Sequence, residues 1–239
     1  NLAKKLFPIC RSLTGNGNRK TLKILKNEVP ELTLYEISSG KKFYDWVVPD
    51  EWNIKDAYIA SNGKKIIDFK KNNLHIVGYS IPFNGKVKKK ELLKKLHTLP
   101  NQKNAIPYVT SYYKKDWGFC VSYNDLKKKF KSKEYQVVIN SSLKKGSLTF
   151  ADCIIKGKSK KEILISCNIC HPSMANDSLS GFLTAAIVAR ELSKRSDLQH
   201  SYRFVFVPET IGAIAYCANH TEELKNIHRG LVCDTTRSM

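Results

Sequence analysis

The sequence predicts an α/β fold: a mixed sheet with helices on both faces, interrupted by a small β-rich inserted domain. Three observations carry that expectation. From about residue 134, apolar strand-like runs alternate with amphipathic stretches, the pattern of a mostly parallel sheet covered by helices. Between Leu32 and residue 130 the texture is one of short β-rich runs separated by Ser-Gly, Asn-Gly and Pro. Residues 1–31 have helical spacing. If they pack on the later sheet, 1–31 and 131–239 form one domain and 32–130 is an insertion within it.

Taken in order, Leu2 to Leu25 reads as a helix, a turn at SLTGNGN (12–18) with its two glycines and two asparagines, and a second helix. LTLYEI, FYDWVVP, KKIIDF and NLHIVGYS then read as short strands. A lysine-rich helix is expected over Lys88 to His97, followed by IPYVTSYY and WGFCVS, with loops around Pro100 and Pro107. YQVVIN and LTFADCIIKG read as strands joined by a turn at Lys145 and Gly146. EILISC, a helix from about Leu179 to Lys194, YRFVFVPE, a helix from about Gly212 to Lys225, and GLVC complete a β, β, β, α, β, α, β order.

A chain of 239 residues with 42% hydrophobic and 10% aromatic content can bury a sizeable core. Its apolar runs fall short of the roughly 18 to 20 residues that cross a bilayer, and NLAKKLFPIC is too short and interrupted for a signal peptide. The expected location is cytoplasmic, without a membrane partner, although the chain opens on Asn1 rather than Met and an upstream segment is allowed for. Seven cysteines scattered from Cys10 to Cys233 suit a reducing compartment rather than a disulfide framework. The formal charge is +20, from 41 Lys and Arg against 21 Asp and Glu. Its lysines gather at 86–95, 127–133 and 156–161 and are almost never interleaved with aromatics, unlike a base-stacking platform. The expectation is solvated lysine faces with nonspecific polyanion affinity as a by-product.

Chemistry concentrates in CNICHPSMANDSLSG (167–181), a loop between strand and helix. Open α/β sheets keep functional groups beyond the C-terminal ends of their strands. Here three strands end in such a group, His171, Glu209 and Asp234, and Asp177 precedes the helix after the first. Imidazole with carboxylates suits zinc, and an uncoordinated Glu beside it can activate a water. Each residue also has a plain structural reading: Asp177 as a helix cap, Glu209 in a helix's first turn, His171 as a turn residue before Pro172. Their convergence favours a site. Cys167, Cys170 and His171 spell the C-x-x-C-H of haem attachment, but the run trails an Ile-rich strand and no export signal is visible. No second cysteine pair completes a structural zinc site either, so both cysteines read as small buried residues.

LFPICRSLTGNGNRKTL, FYDWVVPDEWNIKDAYI, NNLHIVGYS, IPYVTSYYKKDWGFCVS, CHPSMANDSLSG and SYRFVFVPETIGAIAY resemble a bacterial aminopeptidase-like family of unassigned function, related to the co-catalytic zinc aminopeptidases. The resemblance implies a three-layer, zinc-exopeptidase-like fold with an inserted β-rich domain and, in full-length members, a C-terminal winged helix. It implies that His171 and Asp177 bind metal, that Glu209 is the general base, and that Asp234, 25 residues later, completes the shell. Thr210 stands where two-metal members carry a second acidic ligand, so one zinc is expected rather than two. The last ligand of such peptidases is a downstream His, and with the match fading after Val232 the chain is expected to be a fragment, of reduced or no activity. The implied function is a zinc-dependent hydrolase, an aminopeptidase acting on a peptide or small amide. The alternatives are a non-catalytic binding or regulatory protein that contacts nucleic acid through the missing domain, and an amide hydrolase of a modified sugar or lipid.

Overall fold

The structure, a computed structural model, describes residues 2–235. The chain divides into two compact units, residues 1–51 with 145–239, and residues 52–144. The first unit opens with α1 (Leu2–Leu6) and α2 (Asn16–Glu28), then β1 (Thr33–Ser38) and a tight ribbon of β2 (Lys42–Phe43) and β3 (Trp46–Val47). Helix α2 begins inside the stretch expected to be a turn, because Gly15 at φ 100° makes the reversal alone. Gly17 is then the helical residue that faces the Cys10 carbonyl, where a Cβ would overlap it.

The second unit holds β4 (Glu51–Ser61), β5 (Lys64–Asp68), β6 (Phe83–Lys88), α3 (Lys89–Leu93), β7 (Leu96–His97), β8 (Phe119–Cys120), α4 (Tyr123–Lys129) and β9 (Glu134–Lys144). Four of these form a sheet in the order β5-β4-β9-β6, with β4/β5 and β6/β9 antiparallel. Its core gathers Ala57, Ile59, Ile67, Tyr135, Val137 and Ile139. Neither β4 nor β6 was expected as a strand: Asn53, Lys55 and Asp56 interrupt the apolar residues of β4, and β6 carries Lys86 and Lys88. The expected helix over 88–97 shrinks to α3, and NLHIVGYS forms a single 3-10 turn at Asn73–His75 rather than a strand.

The chain returns to the first unit with β10 (Ser147–Ile155), β11 (Ser159–Asn168), α5 (Gly181–Ser193), β12 (His200–Val207), α6 (Ile211–Asn219) and β13 (Ile227–Val232). The sheet order is β1-β10-β12-β11-β13. β11 is parallel to both β12 and β13, and β10 alone runs against its neighbours. The expected boundaries at 32–130 therefore need correction at both ends. β1 belongs with the first unit because Thr33–Ser38 pairs with β10, and β9 belongs with the second because it pairs with β6.

Alternation along the strands sends two sets of side chains to two helical layers. Ala151, Cys153, Ile165, Cys167, Phe204 and Phe206 face α1, α2 and α5 and pack with Leu6, Leu22, Leu25 and Phe182. Truncating Phe182 or Phe204 to Ala would remove about 3–5 kcal/mol. On the other face, buried Arg203 bonds Glu162 at 2.6 Å and Asp152 at 3.2 Å, and Tyr216 of α6 donates to Asp152 at 2.6 Å. Each charge has a partner, which a buried ionic cluster requires. Among the described residues no helix is long and apolar enough to cross a membrane.

Candidate metal centre

Because β11, β12 and β13 run in one direction, their C-terminal ends share one edge of the sheet. His171 follows β11, Glu209 follows β12 and Asp234 follows β13. The structure brings the first two into contact: His171 Nε2 lies 3.2 Å from Glu209 Oε2. Asp177 reaches the other side of the ring, its Oδ1 3.5 Å from Nδ1. His171 is buried, while Asp177 and Glu209 are half-buried and open to solvent.

The turn Ala175–Ser180 is irregular, and Asp177 within it is extended at φ −108°, ψ 108°. It caps nothing: neither this turn nor α5 has a side-chain capping bond. That removes the plain structural reading of Asp177. Glu209 likewise precedes α6 instead of sitting in its first turn. Thr210, next to it, adopts φ 56°, ψ −87°, a conformation a β-branched residue takes only under constraint from its surroundings. Its side chain is exposed.

Electrostatics agree with the geometry. Burial works against a charged His171, but bonding to Cys170 and Glu209 and the charge of Asp177 outweigh it and carry its pKa up to about 10. Burial first, then repulsion from Asp234 and Glu209, push the Asp177 carboxyl up, with His171 opposing. Asp177 Oδ1 and Asp234 Oδ1 are both buried without a hydrogen-bond partner. The Asp177 oxygen meets His171 Nδ1 only as an ion pair at 3.5 Å, and a buried carboxylate oxygen without a hydrogen bond, as on Asp234, is costly unless a cation satisfies it. The oxygen and nitrogen donors suit zinc, so the residues present fit the ion.

Three further residues build the site although the sequence did not mark them as site residues. Cys170, fully buried, accepts the backbone N–H of Glu209 at 3.3 Å and lies 4.0 Å from His171 Nδ1, joining the ends of β11 and β12. Its thiol, His171 and Glu209 form a set of potential donor atoms within 4.8 Å of one another. Arg11 donates from Nε to the His171 carbonyl at 2.9 Å and from Nη1 to the Leu6 carbonyl at 2.7 Å. Gly181 lets the Cys233–Asp234 backbone cross the start of α5, since a Cβ there would overlap both carbonyl oxygens.

Residues 1–237 match the family described as Domain of unknown function (DUF4910). The chain belongs to this family. A Clostridium acetobutylicum protein, whose name refers to polysaccharide biosynthesis and an aminopeptidase-like domain, is 50% identical over 233 residues, 97% of this chain and 53% of its own length. A crystal structure of a candidate peptidase from the same organism matches with a TM-score of 0.93 at 50% identity, covering 97% of this chain and 55% of that one. The chain thus spans about half the length of both. BSAP, a zinc aminopeptidase from Bacillus subtilis, shares the fold with a TM-score of 0.61 at 14% identity, over 98% of this chain and 66% of that one. The family is aminopeptidase-like, and the fold is that of zinc aminopeptidases.

Proposed function

We propose that the chain carries the core of a single-zinc amide hydrolase site of aminopeptidase type. The observation that carries this reading is the buried His171 ring held between Asp177 and Glu209, with Asp177 and Asp234 each keeping a buried carboxylate oxygen that makes no hydrogen bond. His171, Asp177 and Asp234 would hold the ion, and Thr210 leaves a second ion without its acid. When bound, zinc would supply Lewis acidity, polarising the scissile carbonyl and easing the ionisation of water. Glu209 is half-buried and open to solvent, so its carboxylate can take a proton from water and return it to the leaving amine. Its backbone is fixed for this by the bond to the Cys170 sulfur.

The name of the Clostridium relative supports a second reading of the substrate, an amide on a sugar rather than in a peptide. Both readings need the same site. Zinc titration is the test, with turnover on an aminoacyl anilide and an N-acylated amino sugar as second readout. One zinc per chain is expected, weakened at least about 100-fold by His171→Ala, with Glu209→Gln retaining zinc and losing most turnover. A wild-type chain that ignores zinc, or a Glu209→Gln variant as active as wild type, would overturn the assignment.

A further inference from the structure

Charge is distributed unevenly between the two units. Residues 52–144 carry 20 lysines, no arginine and 6 acidic side chains, a formal charge of +14, while the rest of the chain carries 21 basic and 15 acidic groups. Lysine placed merely wherever solvent permits would not favour one unit so strongly. Within it, a cavity of about 760 Å³ opens over the four-stranded sheet, lined by Lys65, Lys86, Lys133, Ser61, Ser132 and Gln136. The three amines come from β5, β6 and the residue just before β9, and Glu134 is the one acid in the lining. Lys65 is held in place by Asp56 and Asp68 and lies 4.1 Å above the Tyr58 ring. Ser61 and Ser132 share a hydroxyl–hydroxyl bond of 2.6 Å, and Gln136 bonds Asn84 at 2.8 Å, so the polar groups are already ordered.

We propose that this cavity binds an acidic oligosaccharide, its carboxylates meeting Lys86 and Lys133 and its hydroxyls meeting the serine and amide groups. Compact ammonium groups pair with single carboxylates without the forked geometry through which arginine grips phosphate. The volume lies within the range of about 300–1,000 Å³ of small-ligand clefts. Nucleobases lack a stacking platform here, because the Tyr58 face is covered by Lys65 and Tyr135 is buried. The inference is independent of the zinc site.

Isothermal titration of the full chain with oligogalacturonate tests it, with neutral maltooligosaccharide, oligo-dT and phosphatidylglycerol vesicles as comparisons. The expected result is binding of oligogalacturonate over all three, weakened about tenfold in Lys86→Gln/Lys133→Gln as two exposed contacts are lost. The charge-matched Lys103→Gln/Lys128→Gln variant, exposed and outside the cavity, is expected to stay within about twofold of wild type. Equal loss in both double variants would show diffuse attraction and overturn the proposal. So would tighter binding of oligo-dT or vesicles, or no binding of oligogalacturonate.

Discussion

Arg11 is 1% exposed, yet no acidic side chain pairs with it among the described residues. Its guanidinium is held by the carbonyls of Leu6 and His171 and lies 5.3 Å from the Phe182 ring centroid, while Nη2 meets no partner. Burying a cation on such terms is costly, and burial lowers its pKa to about 10 against the weaker pull of Cys10 and Cys170. What the arrangement secures is the backbone of His171, tied at once to the end of α1. Ser173 strengthens the tie by donating to the Phe7 carbonyl at 3.1 Å. Arg11→Met is therefore expected to weaken zinc binding about 10- to 100-fold, as loss of a group that orients a ligand does. Arg11→Lys, which keeps a donor but not the fork, should fall between. Chelator competition measures both, with circular dichroism to confirm the fold. Wild-type affinity in both variants would reduce Arg11 to a packing residue.

At the level of elements, Gly181 decides how closely the end of β13 approaches α5. Helix propensity alone favours Ala over Gly by about 1 kcal/mol inside a helix. Gly181→Ala is nevertheless expected to destabilise by about 1–3 kcal/mol, because a Cβ would meet backbone carbonyls of Cys233 and Asp234 that have no soft side chain to yield. Urea midpoints and zinc affinity should fall together; a stabilised variant would show that the segment moves aside freely. The strands that frame this site were legible in the sequence, since Ile163–Ile165 and the apolar run of YRFVFVPE have strong local patterns. From those patterns the convergence of His171, Glu209 and Asp177 could be argued before any coordinates. Arg11 could not be found that way: its partner lies 160 residues along the chain and nothing local marks it. Strands β4 and β6 were missed for a related reason, because their identity rests on pairing with β5 and β9 rather than on apolar alternation. Long-range pairing also decided the unit boundaries, with β1 and β9 each joining the sheet of a distant partner.

For the whole molecule, buried thiols couple stability to alkaline pH in both units. Cys153, in the first unit, and Cys120, in the second, are each pushed from the ordinary 9.0 up to about 12, burial being the main cause. A raised thiol pKa means that the folded chain keeps its protons while the unfolded chain loses them. The stabilisation is thus complete below pH 9 and is lost as pH rises toward 12, at about 1.4 kcal/mol per pH unit for each thiol. Tyr216, raised by burial and by Asp152, acts in the same direction at higher pH. Loss of part of the +20 charge at high pH opposes the trend by relieving repulsion. Between about pH 8.5 and 10 the thiols should prevail and urea midpoints should fall. Cys153→Ala is expected to cost stability at neutral pH, through lost packing, and to flatten the alkaline decline in the first unit. Unchanged or rising midpoints over that window would show that relief of charge repulsion outweighs thiol ionisation.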